Sequence, residues 1–118
     1  MSEEIIDLLH GVVEQAWKEE KAFGKKIFGK EPKDNDSLCQ GISRNVFHKI
    51  FGCFPFTTML KFKVNKKSHI IVYTAHRGKS YIIDGTIKQF QPDNGKMVFL
   101  RQEYPFKKEL QTSERWHL

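Results

Sequence analysis

The chain is predicted to fold as one α+β domain spanning residues 1–118. Its first half contains helical patterns of apolar residues, and its second half alternates apolar and polar residues as half-buried strands do. Helices followed by strands with short connections predict N-terminal helices packed on an antiparallel sheet of about three or four strands. A chain of 118 residues is long enough to bury a core without disulfides or metals.

Residues 3–22 predict the first helix. Ser2 is the candidate N-cap, and the acidic residues that follow suit the positive end of the helix dipole. The apolar residues with helical spacing are Ile5, Leu8, Leu9, Val12, Val13, Ala16 and Trp17. Gly24 predicts the end of this helix, and residues 24–36 have the Gly, Pro, Asn and Asp content of a loop.

A second helix is predicted to begin at Ser37. Ser37 and Gln40 have the spacing of a capping box, which places Cys39 at the second helical position. The dipole and the unpaired backbone N–H groups at this end favour an anion, so we expect a lowered pKa for the Cys39 thiol.

The same helix is also predicted to contribute to the core. Its apolar stripe consists of Leu38, Ile42, Val46 and Ile50, with Phe47 beside it. Gly41 predicts close packing on a neighbour, and Gly52 predicts the end of the helix.

Strands are predicted from period-two alternation and from β-branched and aromatic content. The predicted strands are residues 56–64, 69–75, 79–84 and 97–100, with turns at residues 65–68 and 93–95. Residues 104–118 have no clear pattern, and no element is assigned to them.

The predicted hairpin register brings His69 and Asp84 together. A regular hairpin with His76 and Arg77 at its tip pairs His69 with Asp84 on one face of the sheet, with Cβ atoms ~5 Å apart. That distance allows a carboxylate to hold an imidazole in one tautomer. A bulge at Gly78 would shift the register by one residue and remove the pairing.

Cys39, His69 and Asp84 therefore form a candidate catalytic triad. Cysteine nucleophiles need a base within reach of the thiol and a group that orients the base. The oxyanion formed on an attacked carbonyl also needs hydrogen-bond donors. The candidate donors are the backbone N–H of Cys39 and the side chains of Asn35 and Ser37, with Gln40 and Gln89 as further amides.

Structural roles are the alternative for each residue taken alone. A cysteine in a core helix is often a small apolar filler, and a strand histidine is often structural. Cys53 lies among phenylalanines and is predicted to be core. A 39–52 helix would separate Cys39 from Cys53 by ~21 Å, too far for a disulfide. No metal-ligand spacing links the histidines and cysteines, so neither a metal nor another cofactor is expected.

The charge of +6 is unevenly distributed. Residues 1–20 hold six acids and one base, so the remaining chain carries +11. A basic body predicts acidic partners, and no recognition motif directs it to nucleic acid. No apolar run predicts a membrane span and no signal peptide is visible. Free thiols favour a reducing, cytoplasmic working compartment.

Three short motifs resemble the papain-fold toxin domains of bacterial polymorphic toxin and effector systems. The motifs are Leu38-Cys39-Gln40-Gly41-Ile42-Ser43, His69-Ile70-Ile71-Val72, and Ile82-Ile83-Asp84-Gly85-Thr86-Ile87-Lys88-Gln89-Phe90. The resemblance covers residues 37–90. It departs from the usual pattern after Cys39, where Gln40 and Gly41 replace commoner residues, and at Ile70.

The resemblance implies a papain-like fold and a thiol amidohydrolase that acts on protein amides. Cys39 would attack the carbonyl, His69 would transfer protons, Asp84 would orient His69, and Thr86 and Gln89 would support the Asp84 loop. A glutamine substrate gives deamidation, a peptide bond gives proteolysis, and an amine in place of water gives acyl transfer. The other expectations are a protein substrate of acidic character, an immunity or inhibitor protein, and delivery into a target cell. A noncatalytic basic binding module is the remaining alternative.

Overall fold

A computed structural model describes residues 2–28 and 36–116 of the protein. The helices are α1 (Ser2–Phe28), α2 (Asp36–Ile50) and the short α3 (Lys107–Leu110). The strands are β1 (Thr57–Val64), β2 (Lys67–His76), β3 (Lys79–Ile83), β4 (Val98–Leu100) and β5 (Glu114–Arg115). They form one antiparallel sheet in the order β4-β3-β2-β1-β5. The α+β prediction is confirmed, with one strand more than the three or four expected.

Helix α1 is longer than the sequence pattern predicted. It continues through Gly24 to Phe28, although Gly24 was the predicted end and residues 24–28 the start of a loop. An interior glycine costs only about 1 kcal/mol relative to alanine, which the surrounding helix can offset. The rest of the predicted loop, residues 29–35, lies outside the described residues. No helix of the described residues is long and apolar enough to cross a membrane.

Helix α2 begins at Asp36, so Ser37 is its second residue and not the predicted N-cap. Cys39 is accordingly the fourth helical residue, still within the first turn. The predicted close packing at Gly41 is confirmed, because a Cβ there would lie 2.8 Å from Glu20 Oε1 of α1. The helix ends at Ile50, just before the predicted stop at Gly52.

Both hairpin turns contain two residues, which corrects the predicted register. Arg77 and Gly78 have φ angles of 51° and 77°, as type I′ turns require, and Ala75 pairs with Ser80. The predicted tip lay one residue earlier and paired Ala75 with Gly78. The resulting shift of two residues keeps every side chain on its predicted face, since strands repeat every two residues.

Each face of the sheet is covered by its own core. Helices α1 and α2 cover one face, where Val13, Ile42, Val46 and Val72 are among the buried residues. The other face is covered by the chain after β3 and after β4. Its buried residues are Phe62, Val64, Ile71, Ile82, Ile87, Phe99, Tyr104 and Leu110. The segment that had no predicted element therefore completes the second core.

Candidate functional site

His69 and Asp84 form a buried pair in the second core. The Nε2 atom of His69 lies 2.8 Å from Oδ2 of Asp84, and both side chains are 0% exposed. The predicted contact is present, but the two residues are not cross-strand partners. Strand β3 ends at Ile83, opposite Val72, and Asp84 follows it in the connecting loop. The contact runs diagonally between the two strands. Both side chains lie on the same face of the sheet, because a shift of two residues preserves the alternation of faces.

Two further groups hold the carboxylate of Asp84. The hydroxyl of Tyr104 donates to Oδ2 at 2.6 Å, and the backbone N–H of Thr86 donates to Oδ1 at 3.3 Å. Burial raises the pKa of Tyr104 well above 10, and the charge and hydrogen bond of Asp84 raise it further. Tyr104 is therefore a neutral donor at physiological pH.

Aromatic rings surround the pair. The ring of Phe90 meets the imidazole of His69 edge-on at 4.9 Å between centroids, and the ring of Phe62 does so at 5.6 Å. Tyr104 in turn contacts Phe62 and Phe106. Water is excluded from such a setting, so the hydrogen bonds to Asp84 act in a medium of low polarity and are strengthened.

The contacts of the imidazole indicate its tautomer. A carboxylate at Nε2 favours a proton on that nitrogen, which leaves the lone pair on Nδ1. The amide nitrogen of Gln89 lies 3.4 Å from Nδ1, as expected for a donor facing a lone pair. Nδ1 is thus the nitrogen that can accept a proton, while Asp84 fixes the orientation of the ring.

One hydrogen bond attaches α2 to strand β2 at the residue after His69. The hydroxyl of Ser43 donates to the carbonyl of Ile70 at 2.9 Å, so α2 is attached to the residue that follows His69. Cys39 lies four residues before Ser43 and is described only as a helical residue, without its side chain. The first turn of α2 therefore stands one helical turn, ~5.4 Å, from this attachment.

The loop that carries Asp84 is packed tightly against both helices. The indole N–H of Trp17 donates to the carbonyl of Gly85 at 2.6 Å. A Cβ at Gly85 would lie 2.4 Å from Ile42 and 3.0 Å from Val13, so only glycine fits without displacement. These contacts fix the position of Asp84 from the helix side of the sheet.

The remaining predicted site residues have different outcomes. Thr86 contacts Asp84 through its backbone N–H and Gln89 contacts His69 through its amide, while the hydroxyl of Thr86 has no described hydrogen-bond partner. Asn35, a candidate oxyanion donor, lies outside the described residues, and Ser37 is described only as a helical residue. Gln40 is exposed. The prediction that Cys53 is core is wrong, because it is an exposed free thiol in the turn after α2.

Sequence reasoning missed Tyr104 entirely. It lies in the segment that follows a 3₁₀ helix at Arg101–Glu103, where no periodicity marks an element. The one available signal was a tyrosine between apolar aromatic residues near the end of a predicted strand, since a buried tyrosine hydroxyl requires a partner. Among the described residues, no three His, Cys, Asp or Glu side chains are grouped so that they could hold a metal ion.

Comparison with known proteins assigns no family to this arrangement. No family model matches the chain, and no significant match was found among curated proteins or solved structures.

Proposed function

We propose that the chain is a papain-like thiol amidohydrolase that uses Cys39, His69 and Asp84, and that it acts as a toxin or effector glutamine deamidase. The observation that carries the proposal is the buried His69–Asp84 contact of 2.8 Å. Cys39 stands in the first turn of α2, and Ser43 of the same helix donates to the carbonyl of Ile70, the residue after His69. Thiol-dependent acyl transfer needs a nucleophile, a base and a carboxylate that orients the base.

The reaction proceeds in two steps. The Cys39 thiol gives its proton to Nδ1 of His69, and the sulfur attacks the amide carbonyl of a glutamine side chain. The resulting tetrahedral intermediate collapses to a thioester as the imidazolium protonates the departing ammonia. In the second step His69 takes a proton from water, which attacks the thioester and releases glutamate and the free thiol.

Asp84 supports His69 in both steps of the reaction. Its carboxylate holds the imidazole in the required tautomer and stabilises the imidazolium that forms. Tyr104 and the N–H of Thr86 fix the carboxylate in turn. The backbone N–H groups in the first turn of α2 are unpaired within the helix and are the candidate donors to the oxyanion.

A noncatalytic binding module is the second candidate, and one observation favours it. His69 is 0% exposed, and a fully buried His–Asp pair also occurs as a structural hydrogen bond. The two candidates differ in what Cys39→Ala does, because a binding module does not depend on the thiol.

The deciding experiment compares the purified wild type with Cys39→Ala after incubation with a cell lysate, using peptide mass spectrometry. Glutamine-to-glutamate conversion that appears only with the wild type supports deamidation. New peptide termini with the wild type alone identify a peptidase, and amine cross-links identify acyl transfer. Identical lysates from the two proteins, with Cys39→Ala still folded by circular dichroism, reject the enzyme.

A further inference from the structure

We infer that a basic cavity beside the β2–β3 turn binds an acidic peptide segment of a partner protein. The cavity has a volume of about 580 Å³ and lies between the β2–β3 turn, the end of β4 and helix α3. The residues that define this basic cavity are Lys79, Arg101, Lys107 and Lys108, together with Gln102 and Gln111. None of the acidic side chains that the structure describes lines it.

The cations of the cavity make no described ion pair with the acids nearest to them, Glu103 and Glu109. Among residues 2–28 and 36–116, none of the four cations forms an ion pair. Glu109 lies in the same short helix as Lys107 and Lys108, but it does not line the cavity and its Oε2 is buried. Four uncompensated cations around one concave surface attract anionic groups.

Part of the cavity is held in place by contacts within the fold. The guanidinium of Arg101 lies 6.0 Å from the ring centre of Tyr73, whose hydroxyl is 2.7 Å from Ser80 Oγ. The ammonium of Lys107 donates to the carbonyl of Gln102 at 3.1 Å. These contacts limit the motion of two of the four cations and reduce the entropy cost of binding.

The lining favours a peptide over a nucleic acid. Grooves for single-stranded nucleic acid combine cations with aromatic rings on which bases stack, and no aromatic residue within the described ranges lines this cavity. The amides of Gln102 and Gln111 offer donors and acceptors that suit a peptide backbone. The volume falls within the range of ~300–1,000 Å³ that holds small ligands and short side-chain clusters.

The basic cavity is separate from the proposed catalytic residues. It lies at the turn end of β2, beyond His76, whereas His69 is near the other end. At ~3.3 Å per residue, His76 and His69 are ~23 Å apart along the strand, whereas Arg101 and Lys107 flank Tyr104, whose hydroxyl donates to Asp84. Binding at this cavity therefore does not depend on the proposed chemistry.

The test measures binding of a fluorescein-labelled oligoglutamate peptide by anisotropy at low and high salt. The cavity variant is Lys79→Glu with Lys108→Glu, two exposed residues without any described side-chain contact. The matched control, Lys67→Glu with Lys96→Glu, makes the same change in net charge elsewhere. We expect the cavity variant to weaken binding at least about tenfold and the control to change it about twofold or less.

Several outcomes decide the inference. Selective loss in the cavity variant, retained binding in Cys39→Ala and weaker binding at high salt support it. Equal losses in the two double variants overturn it, because net charge would then explain the binding. A labelled single-stranded oligonucleotide that binds more tightly than the peptide, and only through the cavity residues, overturns the peptide assignment. Full competition by inorganic pyrophosphate at micromolar concentration would identify a phosphate site and also overturn it.

Discussion

At the residue scale, the carboxylate of Asp84 connects three segments of the chain. It accepts hydrogen bonds from His69 in β2, from Tyr104 in the segment after β4, and from the N–H of Thr86 in its own loop. Each hydrogen bond to a buried carboxylate stabilises the fold by about 1.5–3 kcal/mol. The contacts therefore stabilise the fold as well as orient His69.

Tyr104→Phe tests the part of this network that the sequence did not reveal. It removes one hydrogen bond to a carboxylate, so we expect unfolding to become easier by about 1.5–3 kcal/mol in urea titrations. Tyr73→Phe, which loses a half-buried hydroxyl contact to Ser80, should cost less, about 0.5–1.5 kcal/mol. Equal losses of unfolding free energy in the two variants would contradict the claim that the hydrogen bond from Tyr104 to Asp84 is the stronger one.

The raised pKa of Tyr104 also predicts a pH dependence. Above pH 10 the unfolded chain loses the phenolic proton while the folded chain retains it, so the unfolded state is favoured. The stabilising contribution is fully present below about pH 10 and is lost as the pH rises further. Wild-type stability should fall more steeply in this range than that of Tyr104→Phe.

At the element scale, the Asp84 loop depends on a close approach to α1 and α2. Gly85→Ala places a methyl group against Ile42 and Val13, and we expect a loss of about 1–3 kcal/mol in unfolding free energy. Gly11→Ala, in the middle of α1 with open space around it, should instead stabilise the protein by up to about 1 kcal/mol. A Gly85→Ala variant as stable as the wild type would show that the predicted crowding at Gly85 is wrong.

Helices α1 and α2 are joined by the carboxylate of Glu19. It accepts hydrogen bonds from Lys49, Asn45 and Gln15, and these bonds, that of Lys49 first, lower its pKa to about 2. The stabilisation is present above the ordinary value of 4.5 and is lost as the pH falls through about 2.

Glu19→Gln should therefore be less stable than the wild type at neutral pH, and the difference should vanish as the pH approaches 2. Thermal unfolding across this pH range measures the effect. Glu4→Gln, an exposed position near the start of α1, is the matched control and should show no comparable pH-dependent difference. A constant difference at all pH values would mean that Glu19 acts through packing and not through its charge.

At the scale of the whole molecule, the alternating strand pattern was enough to predict the His69–Asp84 contact, although the predicted hairpin register was wrong. Period two fixes the face of each side chain, and a shift of two residues leaves that face unchanged. The turn type set the true register through the positive φ angles of Arg77 and Gly78. The signal for it, a glycine at the second turn position, is present in the sequence, but the prediction paired Gly78 with Ala75 and allowed a bulge there only as the alternative.

The second core could not be predicted in the same way. Its position depends on how the segment after β4 returns to the sheet, and short elements such as α3 and β5 carry too few residues for a periodic pattern. The extension of α1 through Gly24 was missed because a glycine lowers local helix propensity without deciding the outcome. Tertiary packing, which local sequence does not encode, determined each of these features.

The central claim, that His69 and Asp84 activate Cys39, is tested most directly by alkylation with iodoacetamide at neutral pH, followed residue by residue with mass spectrometry. Exposed Cys53 is the internal reference, since access does not limit it. We predict that Cys39 reacts about tenfold faster or more, as a thiolate does, and that Asp84→Asn reduces this ratio while Cys53 is unchanged. Equal, slow reaction of both cysteines in the wild type would contradict the account.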